Sequence, residues 1–130
     1  MSTVCPFCAP ELDEQRVEDS NDLCLFLRSH DPVLAGSGII VPRAHRRDVF
    51  ELSREEWAAT FELLGRVKTT IDREFGPDGY NIGWNCGAPA GQEVLHTHMH
   101  VIPRFADEPL AGRGIRHWLK QDANRRTRAA

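Results

Sequence analysis

Long apolar runs are missing from this 130-residue chain. No stretch approaches the roughly 20 residues that a membrane-crossing helix needs. The opening Met1-Ser2-Thr3-Val4-Cys5 lacks the basic start and apolar block of a secretory leader. Internal repeats, linkers and low-complexity blocks are absent too, which excludes solenoids and strings of small domains. The reading is one domain in the cytoplasm. Its length lies within the range of a single core, and 41% hydrophobic with 27% charged residues is globular composition.

Basic charge is scarce over most of the chain. Residues 1–110 hold ten bases against 18 acids. Residues 111–130 hold six bases (Arg113, Arg116, Lys120, Arg125, Arg126, Arg128) against the single acid Asp122. An acidic body excludes broad nucleic-acid binding, which needs a basic face. The expected organisation is a domain over 1–110 and a basic tail over 111–130, the latter a solvated extension or a local anion contact.

Cysteines number four, and a second C-x-x-C is lacking. Cys5 and Cys8 form a tight Cys-Pro-Phe-Cys knuckle, which in a chain without an export signal points to metal or redox chemistry. Structural zinc takes four ligands, so two more must come from elsewhere, with His45 and the histidines of residues 96–100 as candidates. Cys24 and Cys86 fall in apolar, strand-like runs and read as reduced, buried small hydrophobes.

Apolar patterning predicts strands over 23–28, 38–41, 80–86 and 95–103. Ser53 and Glu56 form a capping-box pattern ahead of a helix over 54–75, which places Trp57, Phe61, Leu64, Lys68 and Ile71 at helical spacing. Gly76-Pro77 stops it. A short helix is expected around 115–121. Strands on both sides of one long helix predict an α+β domain with a largely antiparallel sheet.

Three of the six histidines fall within five residues, His96-Thr97-His98-Met99-His100. On a strand, residues i, i+2 and i+4 share a face about 6.7 Å apart, with Leu95, Thr97, Met99 and Val101 turned to a core. An imidazole can attack while neutral as its neighbour binds charge, so the row suits a phosphoryl electrophile. The rival chemistry is a zinc hydrolytic site.

These residues carry a resemblance. His96-Thr97-His98-Met99-His100-Val101-Ile102, with Gly91-Gln92 upstream, Val41-Pro42-Arg43-Ala44-His45 and Pro103-Arg104, is similar to the histidine triad (HIT) family over roughly residues 1–105. The resemblance implies an antiparallel sheet of about five strands with one long helix and a short or irregular tail, assembled as a homodimer. It also implies an enzyme that cleaves at the α-phosphate of a nucleoside phosphate or dinucleoside polyphosphate. His98 would be the nucleophile and His100 its support at the α-phosphate, with Asn85 and Gln92 beside the phosphate. By the same resemblance Cys5, Cys8, His45 and His96 would hold one structural zinc per chain. Hydrolysis of an adenosine phosphoramidate, or nucleotide binding without turnover, are the alternatives.

Three positions depart from the family pattern. Ser29 stands where relatives have a ribose-binding Asp, with Asp31 as its candidate substitute. Ser37 replaces a histidine, and Glu93 a small hydroxyl residue. A carboxylate at 93 would either repel phosphate or take a proton from water. The tail reads first as a solvated extension; on its functional reading Arg113, Arg116 or Lys120 would meet far phosphates and Trp118 would stack on a base.

Overall fold

The structure, a computed structural model, describes residues 4–127. Ser53 starts the long helix α1 (Arg54–Phe75): its hydroxyl accepts the Glu56 N–H at 3.1 Å, and the Glu56 carboxylate accepts the Ser53 N–H at 2.8 Å. The reciprocal box therefore forms as the sequence predicts. Gly76 ends the helix at φ 60°, a left-handed conformation that glycine adopts at little cost.

Strands β1 (Val17–Ser20), β2 (Cys24–Arg28), β3 (Gly38–Pro42), β4 (Gly79–Trp84) and β5 (Met99–Arg104) make one antiparallel sheet in the order β1-β2-β3-β5-β4. This is the α+β architecture expected. Register sets Phe26, Ile40 and Met99 side by side on one face, and Leu27, Ile39, His100 and Gly83 side by side on the other. Helix α1 covers the first face, where Leu63, Val67 and Ile71 pack with Cys24, Phe26, Ile40, Met99 and Val101. Each buried aliphatic contributes about 1.5–3 kcal/mol.

The helix is rotated from the apolar spacing read in the sequence. Trp57 and Phe61 are 48% and 78% exposed, and Glu56 and Thr60 turn inward instead, in line with Leu63, Val67 and Ile71. Their polar atoms are satisfied without water. The Thr60 hydroxyl donates to the Glu56 carbonyl at 2.7 Å, and Arg46 pairs with the Glu56 carboxylate at 3.1 Å.

The opposite face of the sheet is shared by the two ends of the described chain. Phe7 packs on Leu25, Leu27 and Val41 at one side. Residues after β5 fold back over the other, tied to Arg104. The middle, around His100 and Ile102, stays open and forms the cavities described below.

Three local expectations are corrected. Pairing of β3 with β5 stops at Ile40 and Met99, so the strand expected from 95 begins at Met99 and Leu95 is 60% exposed. Strand β4 ends at Trp84, which leaves Cys86 beyond it and only half-buried. Residues 115–121 form turns, with one short 3-10 turn at Asp122–Asn124. Gly112 and Gly114 precede them, and Ile115, Trp118 and Leu119 stay exposed, so no packed face repays the cost of nucleating a helix.

Candidate active site and metal centre

The three triad histidines fall into two environments. His96 is fully buried, and its Nε2–H donates to the Pro42 carbonyl at 2.9 Å. A carbonyl only accepts, so the proton sits on Nε2 and Nδ1 keeps a bare lone pair. That Nδ1 lies 3.4 Å from Cys5 Sγ and 3.5 Å from Cys8 Sγ, and His45 Nδ1 lies 3.4 Å from Cys8 Sγ. The four ligand atoms are all within 4.8 Å of one another and could hold a metal ion.

Burial sets the titration of these ligands. Burial, with Cys5 and Glu11 adding, pushes the Cys8 thiol up to about 11. Burial also pushes His96 below its ordinary value; the Pro42 carbonyl opposes this, and the neighbouring His45 and His98 add to it. A metal bound there would take the place of the thiol protons.

His98 and His100 form the second pair, with ring centroids 5.1 Å apart. The His98 Nδ1–H donates to the His96 carbonyl at 2.9 Å, which leaves the lone pair on Nε2. Phe7, held between Cys5 and Cys8, meets the His98 ring edge-on at 5.4 Å and the His96 ring at 5.7 Å. Burial, with His98 adding, pushes His100 below its ordinary value, so its ring is neutral at pH 7.

Two cavities flank His100. One, of about 350 Å³, is lined by Gly83, Trp84, Asn85, Ile102 and Ile115. The other, of about 240 Å³, is lined by Arg16, Leu27, Ser29, Ser37 and Ile39. Both include His100, Ile102 and Leu34. Among the residues expected at the substrate, Asn85 lies in the first wall.

Gln92 and Asp31 are placed differently. The Gln92 side chain accepts from the Gly87 N–H at 2.9 Å and donates to the Arg47 and Val94 carbonyls at 2.6 and 3.1 Å. Its polar atoms thus close the loop between β4 and His96 and tie it to the segment that follows β3. Asp31 is exposed, and its Oδ1 accepts from the Val33 and Leu34 amides at 2.7 and 3.1 Å, while Ser29 lines the cavity wall. Glu93 is exposed.

Sequence reading passed over Phe7 and Arg46. Phe7 carried a signal, since it stands inside the knuckle. Arg46 carried none, because its partners Glu56 and Thr97 come close only through the fold.

The HIT domain model matches residues 10–107. The chain is 33% identical over 108 residues to the adenylylsulfatase HINT3 of Arabidopsis thaliana, covering 78% of this chain and 53% of that protein. It is 35% identical over 83 residues to the adenosine 5'-monophosphoramidase hnt1 of Schizosaccharomyces pombe, covering 64% and 59%. The chain thus spans less than two thirds of either relative. The crystal structure of a HIT family member from Bacillus subtilis superposes with a TM-score of 0.70 at 29% identity, over 79% of this chain and 72% of that one. With the triad, the sheet and the long helix in place, the chain belongs to the HIT domain family.

Proposed function

We propose that the chain is a nucleotidyl hydrolase that cleaves at the α-phosphate of a nucleoside phosphate derivative through a nucleotidyl-His98 intermediate. The observation that carries this is the His98 ring itself. Its Nδ1 proton is committed to the His96 carbonyl, so a single lone pair, on Nε2, is left to attack. When Nε2 bonds to phosphorus the ring becomes cationic, and the hydrogen bond to the carbonyl strengthens as that charge develops. His100, neutral at the cavity floor, donates its N–H toward the phosphoryl oxygens. Asn85 adds a further donor from the wall. Water then cleaves the phosphorus–nitrogen bond and releases the nucleoside monophosphate.

The two curated relatives, by name, differ in leaving group. That supports placing the shared chemistry at the nucleotidyl half. We favour a dinucleoside polyphosphate as substrate, with an adenosine phosphoramidate as the alternative. Nucleotide binding without turnover is a second reading, favoured by Gln92 and Asp31, whose side chains serve their own loops.

Zinc is the metal we assign, one per chain. Zn–S near 2.3 Å and Zn–N near 2.0–2.1 Å in a tetrahedron give sulfur–nitrogen edges of about 3.6 Å. Three of the four sulfur–nitrogen edges are 3.4–3.5 Å, and all four ligand atoms lie within 4.8 Å of one another. A set closed by Cys5, Cys8, His45 and His96 leaves no position for water, so its work is structural. Its reduced thiols suit the cytoplasm. We also assign a homodimer: β4 is an edge strand, and beside it Trp57 packs on Trp84 at 5.3 Å while Phe61 stays bare.

Intact-protein mass spectrometry after brief mixing with diadenosine tetraphosphate tests the scheme. The expected result is an adenylyl adduct that is absent from His98→Asn. A His98→Asn protein that turns over at near-native rate would reject covalent catalysis.

A further inference from the structure

His100 stands between two cavities of unlike character. The larger, toward Trp84 and Asn85, is lined by no acid, lysine or arginine. The smaller, of about 240 Å³, has Arg16 in its wall together with Ser29 and Ser37. No carboxylate lines it, and Asp31 turns its Oδ1 to the Val33 and Leu34 amides instead.

Each of the three polar side chains has donor capacity left over. Ser37 is 5% exposed, and its main chain is paired on both sides. Its N–H donates to the Leu34 carbonyl at 3.1 Å, and its carbonyl accepts from the Ser29 N–H at 2.9 Å. Among the described residues its hydroxyl has no hydrogen-bond partner, a costly state for a buried group, and Ser37 lines the cavity. The Ser29 hydroxyl accepts from the Asp31 N–H at 3.1 Å and keeps its own hydrogen to donate. Arg16 has no carboxylate partner among the described residues.

A guanidinium and two hydroxyls with no acid among them suit an anion. The planar fork of Arg16 can meet two oxygens of a phosphate at once, and the hydroxyls can meet the others. Placement says which phosphate. His100 pairs with Ile39 across the sheet. Ser37 stands two residues before Ile39, about 6.7 Å along the strand direction. That is comparable to the separation of phosphates on the 5′ and 3′ oxygens of one ribose. Between them, Leu27 and Ile39 give the sugar an apolar floor.

We propose that the cavity of Arg16, Ser29 and Ser37 binds a phosphate carried on the sugar of the substrate. The chain would then act on nucleotides phosphorylated at the 2′ or 3′ oxygen as well as at the 5′ oxygen. This rests on the nucleotidyl-transfer reading above, which sets the 5′ phosphate beside His98 and His100. It concerns the half of the substrate that stays on the histidine.

Calorimetry compares adenosine 5′-monophosphate with adenosine 3′,5′-bisphosphate and adenosine 2′,5′-bisphosphate. Turnover compares adenosine 5′-phosphoramidate with its 3′- and 2′-phosphorylated counterparts, all of which release ammonia. One bisphosphate is expected to bind at least about tenfold more tightly than the monophosphate, with kcat/KM following the same preference. The preference should vanish in Arg16→Ala and shrink in Ser37→Ala. Because each preference is a ratio within one variant, any loss of folded protein cancels.

Equal or weaker binding of both bisphosphates by the unaltered chain overturns the proposal. So does a preference that survives in Arg16→Ala. Adenosine 5′-triphosphate that gains affinity through Arg16, where neither bisphosphate does, overturns it too and assigns Arg16 to the phosphate chain. Failure of the underlying reading looks different: no amidate is turned over and no adenylyl adduct forms, while the calorimetric preference stands.

Discussion

The Thr97 amide donates to the Arg46 carbonyl at 2.7 Å, and the side chain of that same Arg46 pairs with the buried Glu56. One residue thereby joins the start of α1, the loop carrying His45 and the segment carrying His96 and His98. The Cys/His cluster and His98 are braced from the same point, and the brace can be loosened without touching either.

Glu56→Gln is expected to lower stability by about 1–2 kcal/mol in chemical denaturation, since the charge-assisted bonds to Arg46 and Ser53 weaken. The effect depends on pH. Burial alone would raise the Glu56 carboxyl, but the Ser53 amide and the Arg46 guanidinium outweigh it and hold it below 4.5. Its contribution is therefore whole above about 4.5 and is lost as pH falls through the lower folded value. The Tm gap between unaltered chain and variant should narrow in acid. A gap that stays constant from about pH 7 to about pH 3 would contradict this role for Glu56.

Elemental analysis should find one zinc per chain, and almost none in Cys8→Ser. Chelation should cost about 2 kcal/mol of stability or more, read as a lower Tm, because the metal binds the folded arrangement of residues 5, 8, 45 and 96. A Cys8→Ser protein that keeps its full complement of zinc would show that the ligand set is different.

The two faces of α1 give opposite outcomes. Leu63→Ala should cost about 2–5 kcal/mol, since Leu63 is fully buried against the sheet. Phe61→Glu, two residues earlier and largely exposed, should change the stability of the isolated chain by about 0.5 kcal/mol or less. It should abolish the proposed homodimer in sedimentation velocity. Reversed effects would mean that the helix lies with its other face on the sheet.

That contrast also marks how far the sequence could be read. The bounds of α1 are written in Ser53, Glu56 and Gly76, because caps are local chemistry. Its orientation is not. Trp57 and Phe61 look like core, and Glu56 and Thr60 look like surface. Glu56 is buried only because Arg46, ten residues upstream, meets it, and nothing local shows that meeting.

The same distinction holds at the site. The convergence of Cys5, Cys8, His45 and His96 was legible from ligand type and family resemblance together. The commitment of Gln92 to its own loop was not, since it depends on where the Arg47 and Val94 carbonyls fall. The tail read as loop with a short helix around 115–121, where the structure has turns. Its attachment through Arg104 is a tertiary fact that composition does not carry.

The spread of the proposed zinc ligands along the chain has a consequence during synthesis. Cys5 and Cys8 leave the ribosome first, and His96 follows only after about 90 further residues. At ordinary translation rates this leaves the two thiols without their full ligand set for roughly 5–20 s on each nascent chain. Through that interval an oxidant or a stray soft metal meets the knuckle open, and the window closes only when the segment carrying His96 arrives.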